Sequence, residues 1–237
     1  MATVNEKGNA KNIANALLII EYILELGPIY NPTNSKLFLT NLQSLHQLAA
    51  NQQQQVNALL APYTLAVDNR ESLFSMLNKK VTKLHNVLKT TEGINKLQLE
   101  DFMTVARRIK GKRLSKINPD EGTTHHSTSH LSFAQRTNNF DILISFLINT
   151  PNYNPNEIEY QIDSLLQYKS QMLQATELVN TTYIALNNAR SLKNDIMYRS
   201  QNNLVETFNK AKAYLLTIID TESVQHKAIS NIVFKIN

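Results

Sequence analysis

The chain contains no cysteine and no tryptophan, and only 5 glycines and 6 prolines in 237 residues. The lack of cysteine excludes disulfides, a thiolate nucleophile and Cys-based zinc sites. Neither glycine nor proline occurs after Pro155, so nothing interrupts the backbone there and long helices are predicted. Apolar stretches are also short. Residues 17–26 and 142–148 are the longest, well under the ~20 apolar residues of a membrane-spanning helix. Residues 1–10 are polar, and Glu21 and Glu25 interrupt the first apolar run, which is the wrong pattern for a signal peptide. The expected location is the cytoplasm.

Catalytic punctuation is missing too. There is no Walker loop, paired-glycine dinucleotide fingerprint or His-Glu-x-x-His zinc motif,. No glutamate has histidine three residues later, so the carboxylate-bridged di-iron chemistry of helical bundles is not expected. The chain reads as a non-enzyme without cofactor or metal.

Against these absences stands a hydrophobic content of 42%, enough for a real core at this length. The formal net charge of +5 is a local property: residues 70–116 hold 12 Lys/Arg against 4 Asp/Glu, a net of +8, and the rest holds 12 against 15, a net of −3.

The chain also repeats itself. Pro28, Tyr30, Asn31 and Pro32 recur at one spacing as Pro151, Tyr153, Asn154 and Pro155, and the same offset sets Val56 and Asn57 on Val179 and Asn180. After a small length difference Arg70 falls on Arg190 and Leu84 on Leu204. A repeat this long fits two bundle halves better than a solenoid. The expected fold is all-α, an internally duplicated helical bundle with long helices about a pseudo-twofold axis. It has a first helical repeat at 9–110, a polar and basic linker at 111–131 and a second repeat at 132–237, all packed as one globular unit.

Within each half the first helix is expected to start at Asn9 or Ser132, with a capping box between Ser132 and Gln135. It should stop before Gly27-Pro28 or Thr150-Pro151. The Tyr-Asn-Pro segment then acts as a rigid connector, because proline excludes its predecessor from the helical region. Thr33 and Asn156 are the predicted caps of the next helices, with Glu159 completing a second box. Those helices carry apolar stripes through Leu42, Leu45, Val56 and Tyr63, and through Ile158, Ile162, Leu165, Met172 and Val179,. A straight continuation would exceed ~50 residues, far above the usual three or four turns, which favours breaks near 67–69 and 187–188. A further helix is predicted over 97–110, and the alternation of residues 232–236 permits a short strand.

The pieces Ile109-Lys110-Gly111-Lys112-Arg113, Ser132-Phe133-Ala134-Gln135-Arg136 and Tyr153-Asn154-Pro155-Asn156-Glu157 resemble an uncharacterised family of helical proteins from Bacteroidetes bacteria. The resemblance implies a helical fold and carries no activity.

The strongest candidate site is the basic run Arg107, Arg108, Lys110, Lys112, Arg113 and Lys116. Concentrated positive charge attracts phosphate-bearing partners in a salt-sensitive way. The same cations also suit a helix C-terminus facing an exposed linker, and no aromatics are interleaved for base stacking. The structural reading is therefore preferred. His125, His126 and His130 fall in the linker and read as polar chain. Gln52 to Gln55 and Arg199 to Asn203 interrupt the apolar stripes, as a polar layer or a solvated bulge. Arg70 and Arg190 are expected to pair with carboxylates. The favoured function is a non-catalytic interaction or structural protein whose partner is another protein. The rivals are a membrane-active protein using its two apolar first helices and a polyanion binder, of nucleic acid or anionic lipid, using the 107–116 patch.

Overall fold

The computed structural model describes residues 8–111 and 132–235. Among them the fold is all-α, with long helices in bundles and no strand: α1 (Asn9–Leu26), α2 (Leu39–Lys89), α3 (Lys96–Ile109), α4 (Phe133–Ile148), α5 (Ile162–Asn194), α6 (Leu204–Ile218) and α7 (Val224–Ser230). Residues 112, 113 and 116 of the basic run, and the three linker histidines, lie outside the described residues.

Both connectors fold alike. In each a 3-10 turn precedes the long helix, Ser35–Leu37 before α2 and Ile158–Tyr160 before α5. The hydroxyl of Tyr30 donates to the Leu37 carbonyl at 2.8 Å, and that of Tyr153 to the Tyr160 carbonyl at 2.8 Å. These turns displace the expected caps. Asn34, not Thr33, accepts from the Lys36 N–H, and Glu157 occupies the second cap position without a side-chain bond. α1 is capped by Gly8, leaving the Asn9 side chain to accept from the Tyr198 hydroxyl. Ser132 does cap α4, accepting from the Gln135 N–H at 3.2 Å.

The predicted breaks are corrected by the helices themselves. α2 runs unbroken for 51 residues through 67–69, with Pro62 inside it, and α5 runs through 187–188 to Asn194. Asp68, Asn69, Asn187 and Asn188 are all exposed. Their side chains are solvated instead of competing for backbone groups, while Ala66, Phe74, Leu186 and Ala189 keep the apolar stripe buried on the other face. The interruption on the second long segment comes later. A π turn at Asp195–Arg199 follows α5, and Asn203 then caps α6 through the Glu206 N–H at 2.8 Å. Among the described residues the first sequence half therefore holds three α-helices and the second four.

Two compact units divide the chain: residues 1–62 with 183–237, and residues 63–182. These boundaries cut across the sequence division at 9–110 and 132–237. In the first unit α1 packs on α6. Its core combines Ile19, Ile20, Ile23 and Leu42 with Met197, Leu204, Phe208, Leu215 and Ile229. In the second unit α3 packs on α4, and Phe74, Leu77, Val81, Leu84, Leu88, Phe102 and Ile109 meet Phe140, Leu143, Leu147, Leu165 and Met172. Each core thus draws on the opening part of one sequence half and the closing part of the other.

The permitted terminal strand is an extended segment with an unusual partner. Asn12 donates to the Lys235 carbonyl at 2.7 Å and accepts from the Lys235 N–H at 3.1 Å, while Asn15 donates to the Val233 carbonyl at 2.9 Å. Two side-chain amides of α1 thereby satisfy backbone groups that a neighbouring strand would otherwise pair. Lys212 adds bonds to the Ser230 and Ile232 carbonyls, and Ile232 and Phe234 point into the core. Of the two readings of the Gln52 to Gln55 run, Gln52 follows the polar layer: it is buried and donates to the Ala189 carbonyl at 3.0 Å.

One helix exceeds what the short apolar runs suggested. Residues 9–29 are long and apolar enough, by length and composition, to cross a membrane, with mean hydropathy 1.3. Asn12 and Asn15 within that stretch are buried and bonded to the terminal segment, while Leu17, Leu18 and Leu24 are exposed.

Candidate functional site

α3 positions the candidate basic run. It opens on a full capping box, with the Asn95 side chain accepting from the Gln98 N–H at 2.9 Å and the Gln98 side chain accepting from the Asn95 N–H at 3.0 Å. Burial of Phe102, Ala106 and Ile109 fixes its inner face, which turns Arg107 outward and leaves Arg108 and Lys110 half-buried. Arg107 and Arg108 occupy the last turn, where the helix dipole favours cations. Lys112, Arg113 and Lys116 lie outside the described residues.

Lys110 reaches back to α2, its Nζ donating to Thr82 Oγ1 at 2.7 Å. One turn earlier on α2, Arg136 from the first turns of α4 donates through Nη2 to the Phe74 carbonyl at 2.8 Å and to Asn78 Oδ1 at 3.2 Å. Thr82 in turn donates to the Asn78 carbonyl. Two cations distant in sequence thus stand at positions 78 and 82 of one helix face.

A third cation belongs to the same helix. The Arg70 guanidinium lies 4.0 Å from the Phe133 ring centroid. Phe133 meets Phe74 edge-on at 4.8 Å, and Arg136 stands over Phe74 at 5.4 Å. The two guanidiniums therefore bracket an aromatic pair. Arg70 was expected to find a carboxylate, and among the described residues it has none within ion-pair reach; the aromatic face takes that place. Nε of Arg70 and of Arg136 is buried without a partner. Burial lowers the Arg136 pKa, opposed by the nearby Tyr168.

Sequence spacing did not group Arg136 or Arg70 with the 107–110 cations, because nothing in a linear pattern sets α4 beside α2. The signal that existed was Ser132 as a cap, which fixes Arg136 in the opening turns of α4.

Other polar constellations are internally consumed. A cleft of about 390 Å³ between α3 and α4 is lined by Gln98, Ile142, Ser145, Phe146, Asn149 and Thr150. Gln98 is committed to its capping box, and Asn149 and Thr150 bond carbonyls of α4. In the first unit a cleft of about 570 Å³ is lined by Tyr198, Asn203, Glu206 and Lys210 among others; Glu206 and Lys210 pair at 2.7 Å, and Asn203 caps α6. Among the described residues no three His, Asp or Glu side chains are grouped to hold a metal ion. His46 is half-buried and its pKa is lowered by that burial, against the bond to the Ile13 backbone. His85 lies 6.0 Å from the Phe102 ring.

No family model, no curated protein and no solved structure matches this chain.

Proposed function

We propose that this is a non-catalytic helical interaction protein of the cytoplasm, presenting its long helices to a protein partner. The observation that carries this reading is the exposure of large apolar side chains on the long helices. On α2, Leu65 is 67% and Met76 56% exposed, and eleven residues are close to three turns, so the two share a face. On α5, Leu173, Ile184 and Leu192 are also exposed. Apolar side chains clustered outside a core mark interaction surfaces. A photo-crosslinking residue at position 65 or 76, used in the native cell, is expected to trap one protein reproducibly. Leu65→Glu with Met76→Glu should abolish that capture while leaving the fold intact. Crosslinks scattered over unrelated proteins would refute the reading.

The two halves, in this reading, arose by internal duplication around a pseudo-twofold relation. Its support is the shared connector: matched tyrosines donating seven residues ahead and matched 3-10 turns. Arg70 to Leu84 and Arg190 to Leu204 span equal lengths, so in this reading the π turn and the break before α6 replace helix in the second copy without any insertion.

A membrane-active role is the second reading, favoured by the apolar length of residues 9–29 and by the exposure of Leu17, Leu18 and Leu24 on α1. Leakage of dye from anionic vesicles, lost in Leu17→Gln with Leu24→Gln, would support it.

A further inference from the structure

We propose that Arg70, Arg136 and Lys110 form a track on the second unit for the phosphate backbone of a nucleic acid. The inference rests on charge and is independent of the apolar stripe assigned to a protein partner.

The three cations are registered on α2 at residues 70, 78 and 82, the last two through Asn78 and Thr82. At 1.5 Å rise per residue that row is about 18 Å long. It matches about five phosphates of one strand at 3.4 Å axial spacing. Arg107 and Arg108 extend the positive charge at the end of α3 beside Lys110.

Half-buried guanidiniums normally sit opposite carboxylates, because an unpaired charge shielded from water is costly. Arg70 has no hydrogen bond or ion pair among the described residues, only the Phe133 ring on its face. Arg136 bonds a backbone carbonyl and a neutral amide. Stacking on an aromatic ring fixes the guanidinium plane; with each Nε buried and Arg136 Nη2 committed to Phe74 and Asn78, the Nη donors of Arg70 and Nη1 of Arg136 are the ones left for phosphate oxygens. A bound polyanion would supply the missing counter-charge.

The ligand's chemistry is narrowed by what surrounds the row. Phe74 and Phe133 pack on each other and on the arginines, so neither ring is free to stack on a base. Recognition would be of the backbone, without sequence preference. A linear row of half-buried cations along one helix also suits a chain of phosphates better than the plane of a lipid surface.

The test is fluorescence anisotropy of the full chain with labelled mixed-sequence single-stranded and duplex oligonucleotides across a salt series. Three phosphate contacts predict a log–log salt slope of about −2 on single strands and about −3 on duplex, a loss of about 20-fold or more between 50 and 200 mM salt. Arg70→Gln with Arg136→Gln should bring the single-strand slope to about −0.7. Arg70→Lys, which keeps the charge, should retain most of it. Arg199→Gln with Lys227→Gln, in the first unit, should change nothing. Circular dichroism reports folding, and Arg70→Gln with Lys110→Gln replaces the pair should Arg136→Gln fail to fold. No binding by the wild type, binding with an unaltered slope in the neutralised variants, equal binding to polyglutamate, or binding to anionic vesicles alone would each overturn the proposal.

Discussion

Tyr30 and Tyr153 each hold a connector closed with one hydroxyl, and burial raises the pKa of both, that of Tyr30 to about 12 with Tyr214 adding to the effect. Their phenols are held neutral in the folded chain above the ordinary tyrosine value of 10. Unfolding then releases protons between the unfolded and folded pKa values, so stability is full below pH 10 and falls as pH rises toward about 12,. Alkaline denaturation followed with tyrosinate absorbance should show ionisation and unfolding together. Tyr30→Phe and Tyr153→Phe should each cost about 1 kcal/mol near neutral pH and reduce that alkaline sensitivity. Two buried asparagines offer a contrast. Asn15 satisfies the Val233 carbonyl, whereas the amide nitrogen of Asn139 is buried with no partner. Asn15→Ala is expected to destabilise by about 1–3 kcal/mol, and Asn139→Leu to be close to neutral or stabilising. Denaturant unfolding of both variants checks the pair.

At the scale of elements, the decisive feature is the continuity of α2. Pro62 cannot donate to the carbonyl four residues back, yet the helix passes through it because buried residues on both sides keep one apolar stripe in phase. Asp68→Pro should therefore cost about 3 kcal/mol or more, as in any helix interior, and urea midpoints would report it. A neutral outcome would restore the break that the Asp68-Asn69 pair suggests on its own. Pro62→Ala should act in the opposite direction, gaining a backbone bond. The terminal segment shows a related lesson. Its alternation was legible, and Ile232 and Phe234 do turn inward, but the partner is a pair of asparagine side chains 218 to 223 residues away in sequence. Helix existence followed from periodicity and caps. Their ends shifted by several residues because the 3-10 turns at 35–37 and 158–160 leave no apolar signature.

For the whole molecule, each compact unit needs both sequence halves: the first unit's core joins residues 16–49 to 196–234, and the second's joins 74–109 to 140–172. Residues 9–110 and 132–237 expressed separately should be unfolded or insoluble, each exposing the apolar surface that the other half buries. Co-expressed, they should purify as a folded complex without the connecting residues. Soluble, cooperatively unfolding halves obtained alone would contradict the shared cores. Of the candidate site, the 107–110 cations and their place at a helix end were readable from charge and the α3 pattern. Arg70 and Arg136 joined them only in space.

Composition by itself determined the helical class. Scarce glycine and proline, apolar residues at helical spacing and side chains fit to cap leave the backbone little alternative, since each of these effects acts within a few residues of its cause. The repeated connectors were determined in the same local way, down to the seven-residue reach from each tyrosine hydroxyl. Which halves of the long helices share a core was decided only by the tertiary structure. Helical spacing says that Leu42 and Leu165 must be buried, but not against what, because burial of apolar area has no direction. The same holds for charge. A sequence shows where cations are dense, whereas whether Arg70 meets a carboxylate or the face of Phe133 depends on which helices become neighbours.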